Sequence, residues 1–171
     1  MKVTKLDVTV SVLAGLACLF FYMPNPVTVW ALFVGWAWYF NLGATPKAFA
    51  IAIPPMIMGY VLASVAVVAA FMAGASWVIA LVIALIITVF IMMMAFKTKT
   101  FSNSLVAFVS YAIMFGGFYG QSGFGFPFLT QTDAIPPIGN IVVIALWMMF
   151  SNVIGLCFGW LSVTIANLGK K

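Results

Sequence analysis

The residue types that carry most enzyme chemistry are scarce in this chain. Its 171 residues include no His, two acidic residues, Asp7 and Asp133, and two cysteines, Cys18 and Cys157, with each pair widely separated in the sequence. Acid–base catalysis, nucleophilic catalysis and metal binding all need several such side chains close together. We therefore expect no enzyme activity, no metal site and no cofactor.

The polar side chains in the middle of the apolar segments are neutral. Three amides, those of Asn41, Asn140 and Asn152, could offer hydrogen bonds to a neutral solute, or could instead bond to a neighbouring helix. With nearby aromatic residues they form our candidates for the lining or constriction of a pore: Trp36, Tyr39, Asn41, Tyr111, Phe115, Phe124, Phe126, Asn140 and Asn152. A proton- or sodium-coupled carrier usually needs an ionisable group inside the membrane. The lack of one in the middle of these segments favours a passive path.

The elements that must position these residues are transmembrane helices. Hydrophobic residues make up 66% of the chain and charged residues 5%, whereas a soluble domain has about 25% charged residues. The composition therefore predicts an all-α integral membrane protein. A helix needs about 20 apolar residues to cross a bilayer, and the sequence contains six candidate spans: 6–23, 27–44, 46–73, 77–96, 101–119 and 135–167.

The lysines support this count of six. With six crossings, all seven lysines fall on one side of the membrane: Lys2, Lys5, Lys47, Lys97, Lys99, Lys170 and Lys171. The positive-inside rule then places both termini in the cytoplasm. The net charge of +5 is thus explained by topology, and we expect the lipid bilayer, not nucleic acid, as the partner.

Two short sequences occur once in each half of the chain. AIPP is found at 52–55 and again at 134–137, and FVGWAWYF at 33–40 resembles FVSYAIMF at 108–115. The interval between the AIPP copies is slightly longer than that between the aromatic copies, a difference that a longer connection before span six would explain. Spans two and three would then correspond to spans five and six.

These echoes predict an internal repeat within a single six-helix domain over residues 1–171. The halves, about 6–73 and 77–167, hold three helices each and must have opposite orientations, as in the 3+3 inverted repeats of many transporters. The proline pairs lack backbone donors, so we expect helix breaks near the start of the third helix of each half, or simply kinks or helix starts there. The helix-break candidates are Pro54, Pro55, Pro136 and Pro137.

Residues 116–132, GGFYGQSGFGFPFLTQT, do not fit a regular helix. The segment is rich in glycine, yet too apolar for a free loop, and six crossings place it on the outer side. Irregular backbone at membrane depth must be buried in protein or line an aqueous cavity. We interpret it as a re-entrant loop that narrows a pore mouth, or alternatively as an aromatic belt packed on a neighbouring subunit.

Several features of the chain resemble a known family. They are the run from Trp30 through Phe40 to Gly43, the following Lys47 with a small-residue third span, and Phe101 through Gly116 before a last helix with spaced glycines. This pattern resembles the YcdZ-like small bacterial inner-membrane proteins, a domain of unknown function. The resemblance implies about six helices in the bacterial inner (cytoplasmic) membrane and brings no site residues with it.

Two functions remain open. The first is a passive channel or facilitator for a small neutral polar solute of the urea or amide class, and by size and plan the chain is also similar to small six-helix amide and urea channels. The alternative is a structural or partner-binding membrane subunit, with contacts along Trp36, Trp38 and Tyr39. We expect a homo-oligomer in both cases, and Gly155 and Gly159 form a GxxxG motif that is a candidate dimer face.

Overall fold

The computed structural model describes residues 2–21, 27–73, 77–119 and 138–169. These residues form six α-helices and contain no strand, which confirms the all-α prediction. A 3₁₀ segment, Cys18–Phe21, follows the first helix directly. In chain order the helices are α1 (Lys5–Ala17), α2 (Val29–Asn41), α3 (Lys47–Met72), α4 (Trp77–Ala95), α5 (Ser104–Tyr119) and α6 (Ile138–Asn167).

Within the described part of the chain, three helices are long and apolar enough to cross a membrane, and they lie in α3, α4 and α6. Their length and composition agree with the prediction of a membrane protein. Helix α5 is apolar but shorter, and α1 and α2 have 13 residues each. Thirteen helical residues span about 20 Å, less than the hydrocarbon core of about 30 Å. The count of six crossings therefore stays a prediction.

Local sequence signals explain where α1 begins and where α2 ends. The side chain of Thr4 accepts a hydrogen bond from the N–H of Asp7 at 3.3 Å, and the Asp7 carboxylate accepts one from the N–H of Thr4 at 2.8 Å, which makes a capping box. At the end of α2, Gly43 has φ +94°. Its N–H bonds to the carbonyl of Phe40, and the next N–H bonds to Tyr39, as in a Schellman motif.

The chain divides into two compact units. Unit 1 consists of Met1–Ala50 and Phe150–Lys171, and unit 2 consists of Ile51–Met149. Both boundaries fall inside helices, so unit 1 contains α1, α2, the start of α3 and the second part of α6. Unit 2 contains the rest of α3, then α4, α5 and the first part of α6.

Each unit has its own buried side chains. In unit 1, Ala17, Leu32 and Trp36 form a buried cluster against which half-buried side chains pack: Val10, Leu13, Ala14, Phe20, Val27, Phe40, Ile154 and Phe158. In unit 2, α4 has a narrow buried stripe at Ala84, Thr88 and Met92. The rest of this apolar helix is mostly exposed, as expected for a helix that faces lipid.

Candidate functional site

Helix α2 and the second part of α6 approach each other closely in unit 1, at a contact that we call the unit 1 crossing. A Cβ added at Gly155 would lie 2.7 Å from the backbone nitrogen of Trp36 and closer still to the carbonyl oxygen of Leu32. A Cβ added at Gly35 would meet the backbone of Asn152. Only glycine leaves room for such direct backbone contact.

Two side chains of α6 bond to the backbone of the α2 region at this crossing. The amide of Asn152 donates a hydrogen bond to the carbonyl oxygen of Ala31 at 2.7 Å, and both residues are fully buried. The hydroxyl of Ser151 accepts one from the N–H of Thr28 at 2.9 Å. For Asn152, an interhelical bond was one of the two predicted roles, and it is the one observed.

In unit 2 the corresponding close approach is between α3 and α5, which we call the unit 2 crossing. A Cβ added at Gly59 would meet the carbonyl oxygen of Ala107, and it would lie 2.8 Å from the Cβ of Ser110 and 3.0 Å from the nitrogen of Tyr111. This crossing has a glycine on α3 and a serine, not a glycine, facing it on α5. The backbones of its two helices are therefore slightly farther apart than those at the unit 1 crossing.

Aromatic rings surround Trp36 at the unit 1 crossing. The ring of Phe33 is stacked on Trp36 with centroids 6.0 Å apart and planes at 8°, and the ring of Phe158 lies 5.5 Å away at 57°. Phe20 packs edge-on against Phe158. The Nε1–H of Trp36 is buried and has no hydrogen-bond partner among the described residues.

The hydroxyl of Tyr111 at the unit 2 crossing, by contrast, is hydrogen-bonded. It lies 2.8 Å from the hydroxyl of Thr88, which itself donates to the carbonyl oxygen of Ala84 at 2.8 Å. The two hydroxyls share a hydrogen bond in which either can be the donor. The ring of Phe115 lies 5.3 Å from that of Tyr111.

Two further buried polar atoms have no partner in the described part of the chain. They are the hydroxyl oxygen of Ser64 in α3 and the Nδ2 of Asn140 in the first turn of α6. Buried polar groups are nearly always hydrogen-bonded in proteins, so each of these atoms is a candidate contact for water or a solute. Asn140 was predicted as a pore residue from its sequence, whereas Ser64 was not.

The remaining pore candidates are spread over different environments. Tyr39 is buried in unit 1, where its side chain packs on Gly159 and its ring contacts Phe49. Asn41 is exposed at the end of α2. Phe124 and Phe126 lie outside the described residues, as does most of the 116–132 segment.

The predicted helix break near the first proline pair is wrong. Helix α3 is continuous from Lys47 to Met72 and contains Pro54 and Pro55 in its interior. Neither proline has an N–H, so two carbonyls one turn earlier lack their usual partners, but the helix continues because membrane helices tolerate internal proline. The second pair, Pro136 and Pro137, lies outside the described residues.

Two predicted contact faces are also wrong, because the structure uses them inside the chain. Gly155 and Gly159 of the GxxxG motif pack against α2 at Leu32 and Tyr39, so they are not a dimer face. Trp36, Trp38 and Tyr39 are each at most 3% exposed. They are not available to another protein. The sequence did not single out Gly35 and Gly59, although an isolated glycine within an apolar helix is the signal for close helix approach.

The comparison with protein families agrees with the resemblance noted in the sequence. A family model described as Protein of unknown function (DUF1097) matches residues 7–167, which is most of the chain. The chain therefore belongs to the DUF1097 family. No curated protein and no solved structure matches it. Membership of an uncharacterised family is thus confirmed, and the narrower YcdZ-like name stays a prediction.

Proposed function

We propose that this member of the DUF1097 family is a passive channel or facilitator for a small neutral polar solute of the urea or amide class. We further propose that it is built from two inverted three-helix repeats. The observation that carries the proposal is the likeness of the two helix crossings, because internal repeats of this kind form the solute paths of many transporters.

The two crossings match position by position. Gly155 contacts Leu32 and Trp36, and Gly59 contacts Ala107 and Tyr111. Ala107 lies as many residues after Leu32 as Tyr111 lies after Trp36. The same number of residues separates the aromatic sequence at 33–40 from the similar sequence at 108–115. We call this shared separation the echo interval. It relates the two similar sequence segments and also the residues that make equivalent contacts at the two crossings.

Burial patterns support the same alignment. Six buried residues of α2 each have a buried counterpart in α5 at the echo interval, and they are Ala31, Leu32, Gly35, Trp36, Trp38 and Tyr39. Aligning Gly59 with Gly155 likewise places buried positions of α3 on buried positions of α6, namely Ala48, Ala52, Pro55, Met56, Gly59, Tyr60, Ala63, Ala66 and Ala70. In this alignment Pro54 and Pro55 correspond to Phe150 and Ser151. The second AIPP is therefore not their equivalent.

This alignment implies that the repeats exchange their third helices. Helix α3 of the first half packs on α5 of the second half, and α6 of the second half packs on α2 of the first. If all six helices cross the membrane, three crossings per half give the halves opposite orientations. Trp36, at the unit 1 crossing, is then our strongest candidate for a residue on the solute path.

The chemistry of the described helices favours passive transport. Of the two acidic residues, the described part contains Asp7, which lies exposed in the first turn of α1. Lys47, Lys97 and Lys99 are likewise exposed, at or beyond helix ends. Coupling to protons or sodium usually needs an ionisable side chain at membrane depth. The unpartnered groups found there are neutral hydrogen-bonding atoms, which suit a neutral solute.

The topology and assembly follow from the same proposal. We propose a multi-pass protein of the bacterial inner membrane, with both termini in the cytoplasm and its lysines on that side. We also propose a homo-oligomer in which each protomer has its own path. Fusion of a cytoplasm-dependent reporter to each terminus tests the first point. Chemical crosslinking in native membranes tests the second, and recovery of monomer alone would contradict it.

Stopped-flow light scattering on proteoliposomes tests the function itself. Vesicles with the protein are challenged with urea, formamide, acetamide, glycerol or water, alongside vesicles holding a membrane protein of similar size without transport activity. We expect faster swelling for one solute class, unchanged when ionophores remove proton and sodium gradients. Permeability equal to the control vesicles for every solute, with folded protein present, would instead favour a structural or partner-binding subunit.

A further inference from the structure

The indole of Trp36 carries a hydrogen-bond donor in an apolar place. Its side chain is 3% exposed and lies in the buried cluster of unit 1 with Ala17 and Leu32. Hydrophobic side chains of the same cluster pack around it. No described residue accepts a hydrogen bond from its Nε1–H.

Such a donor lowers stability unless something bonds to it. A buried polar group without a partner costs free energy, and the cost is greatest where water is excluded. A phenylalanine would present an aromatic ring to Phe33 and Phe158 without this cost. Compared with phenylalanine, the indole therefore adds a directed hydrogen-bond donor that packing does not require.

The equivalent position in the other half shows how such a donor is satisfied when its role is structural. The hydroxyl of Tyr111, which follows Trp36 at the echo interval, is hydrogen-bonded to the hydroxyl of Thr88, which also lies 2.8 Å from the carbonyl oxygen of Ala84. The Tyr111 hydroxyl thus has its partner within unit 2. Trp36 occupies the matching site at the unit 1 crossing and keeps its donor unused.

The rings around Trp36 limit what can bind there. Phe33 lies parallel to the indole and Phe158 is tilted toward it, so the surroundings are flat aromatic surfaces. These surfaces favour a small, flat, uncharged molecule with one strong acceptor. A carbonyl oxygen of a urea or an amide has this chemistry, and a charged solute would lose its hydration without a counter-ion.

We propose that the Nε1–H of Trp36 is the hydrogen-bond donor that binds the carbonyl oxygen of a small neutral amide or urea. This inference rests on the proposed function, because it assigns the solute contact of the same path. It makes Trp36 a binding residue that selects for a carbonyl acceptor, while Tyr111 holds the matching part of the other half together.

Nuclear magnetic resonance of the indole groups tests the contact directly. The chain has six tryptophans, so protein labelled with ¹⁵N-tryptophan in lipid nanodiscs gives one indole signal for each. The indole signal that is absent from the spectrum of the Trp36→Phe variant is assigned to Trp36. If this variant does not fold, assignment through the backbone resonances identifies the Trp36 signal instead. On titration with acetamide or urea we expect the Trp36 signal to shift and saturate, with thiourea, a weaker acceptor of similar shape, shifting it less.

Permeability of the matched variants gives the second measurement. Trp36→Phe should lower acetamide and urea permeability about two- to tenfold, the range expected for one neutral hydrogen bond, and should reduce the preference for urea over thiourea. Trp38→Phe is the control, because Trp38 is on the same helix and equally buried. We expect its permeability to stay near that of the wild type.

The outcomes separate this inference from the function on which it rests. An unmoved Trp36 signal in protein that conducts acetamide would overturn the inference and leave the channel standing. A Trp36 signal that shifts and saturates in protein without permeability would support the binding site and refute the channel. A Trp36 signal that responds to no solute, in protein that conducts none, would overturn both.

Discussion

The two helix crossings of this molecule make the same contact with different residues. The unit 1 crossing has a glycine on each helix, Gly35 and Gly155, whereas the unit 2 crossing has Gly59 on one helix and Ser110 on the other. In unit 1, side chains of α6 bond to the backbone at the start of α2. In unit 2, a hydrogen bond instead joins a side chain of α4 to a side chain of α5.

This difference separates two roles that the halves of a repeat can take. Where the polar groups of a crossing all bond to one another, as around Tyr111, the crossing holds helices together. Where a donor has no partner among the described residues, as at Trp36, we propose that the same position binds a ligand. Four substitutions test whether the crossings differ in this way.

The largest effect is expected at the unit 1 crossing. Gly155→Ala would force a Cβ into the carbonyl oxygen of Leu32, which is backbone and cannot turn aside. We expect a loss of about 3 kcal/mol or more in the free energy of unfolding, at the upper end for overpacking. Reversible unfolding in mixed micelles with increasing SDS measures it.

Gly139→Ala is the control for this substitution. Gly139 lies on the same helix, and a Cβ there has nothing within 4 Å. Alanine has the higher helix propensity, so stability should be unchanged or slightly higher. Equal losses at the two positions would mean that Gly155 matters for the helix itself and not for the crossing.

A smaller loss is expected for the equivalent glycine of unit 2. Gly59→Ala also places a Cβ against backbone, but its contacts with Ala107 and Tyr111 are less close. We expect a loss of about 2 to 3 kcal/mol, measured in the same micelles. A loss larger than that of Gly155→Ala would reverse the proposed ranking of the two crossings.

Removing the partner of Tyr111 should make unit 2 resemble unit 1. Thr88→Val keeps the shape of the side chain but leaves the Tyr111 hydroxyl buried without an acceptor, which costs about 1 to 2 kcal/mol of unfolding free energy. Thr88→Ser keeps the hydroxyl and should lose less. Adding Tyr111→Phe to Thr88→Val should restore part of the stability, and no restoration would show that the bond does not carry the effect.

The smallest effect is expected where a glycine replaces the serine of unit 2. Ser110→Gly copies the residue of the unit 1 crossing and removes a side chain whose hydroxyl donates a hydrogen bond to the carbonyl oxygen of Val106 in its own helix. Glycine in a helix costs about 1 kcal/mol, and closer packing should offset part of this. The reverse exchange, Gly35→Ser, should cost several times more, and similar costs would argue against unequal crossings.

Much of the fold followed from local sequence features. Five of the six predicted segments agree closely with observed helices at both ends, because Pro, Gly and Lys mark the turns between apolar runs. The first segment was predicted as a helix to residue 23, but α1 changes to a 3₁₀ turn at Cys18. The prediction at Pro54 and Pro55 failed because a helix supported by its neighbours tolerates two missing donors.

The candidate site was harder to predict from sequence. Trp36 and Tyr111 were singled out as aromatic residues at equivalent places in the echo. Their different hydrogen bonding depends on Thr88, which lies on a third helix. Asn152 was proposed as a pore residue or as a link between helices, and only its distance to Ala31 shows that it forms such a link.

The sequence by itself determined that this is a membrane protein, where its helices occur and to which family it belongs. An apolar composition with few charges requires a bilayer, and turn residues mark where each helix stops. Tertiary structure alone decided which faces are buried, since helices that are apolar on all sides give no signal of an inward face. In lipid, backbone contact and hydrogen bonds select that face, and they made Gly155 a packing residue and left Trp36 with an unused donor.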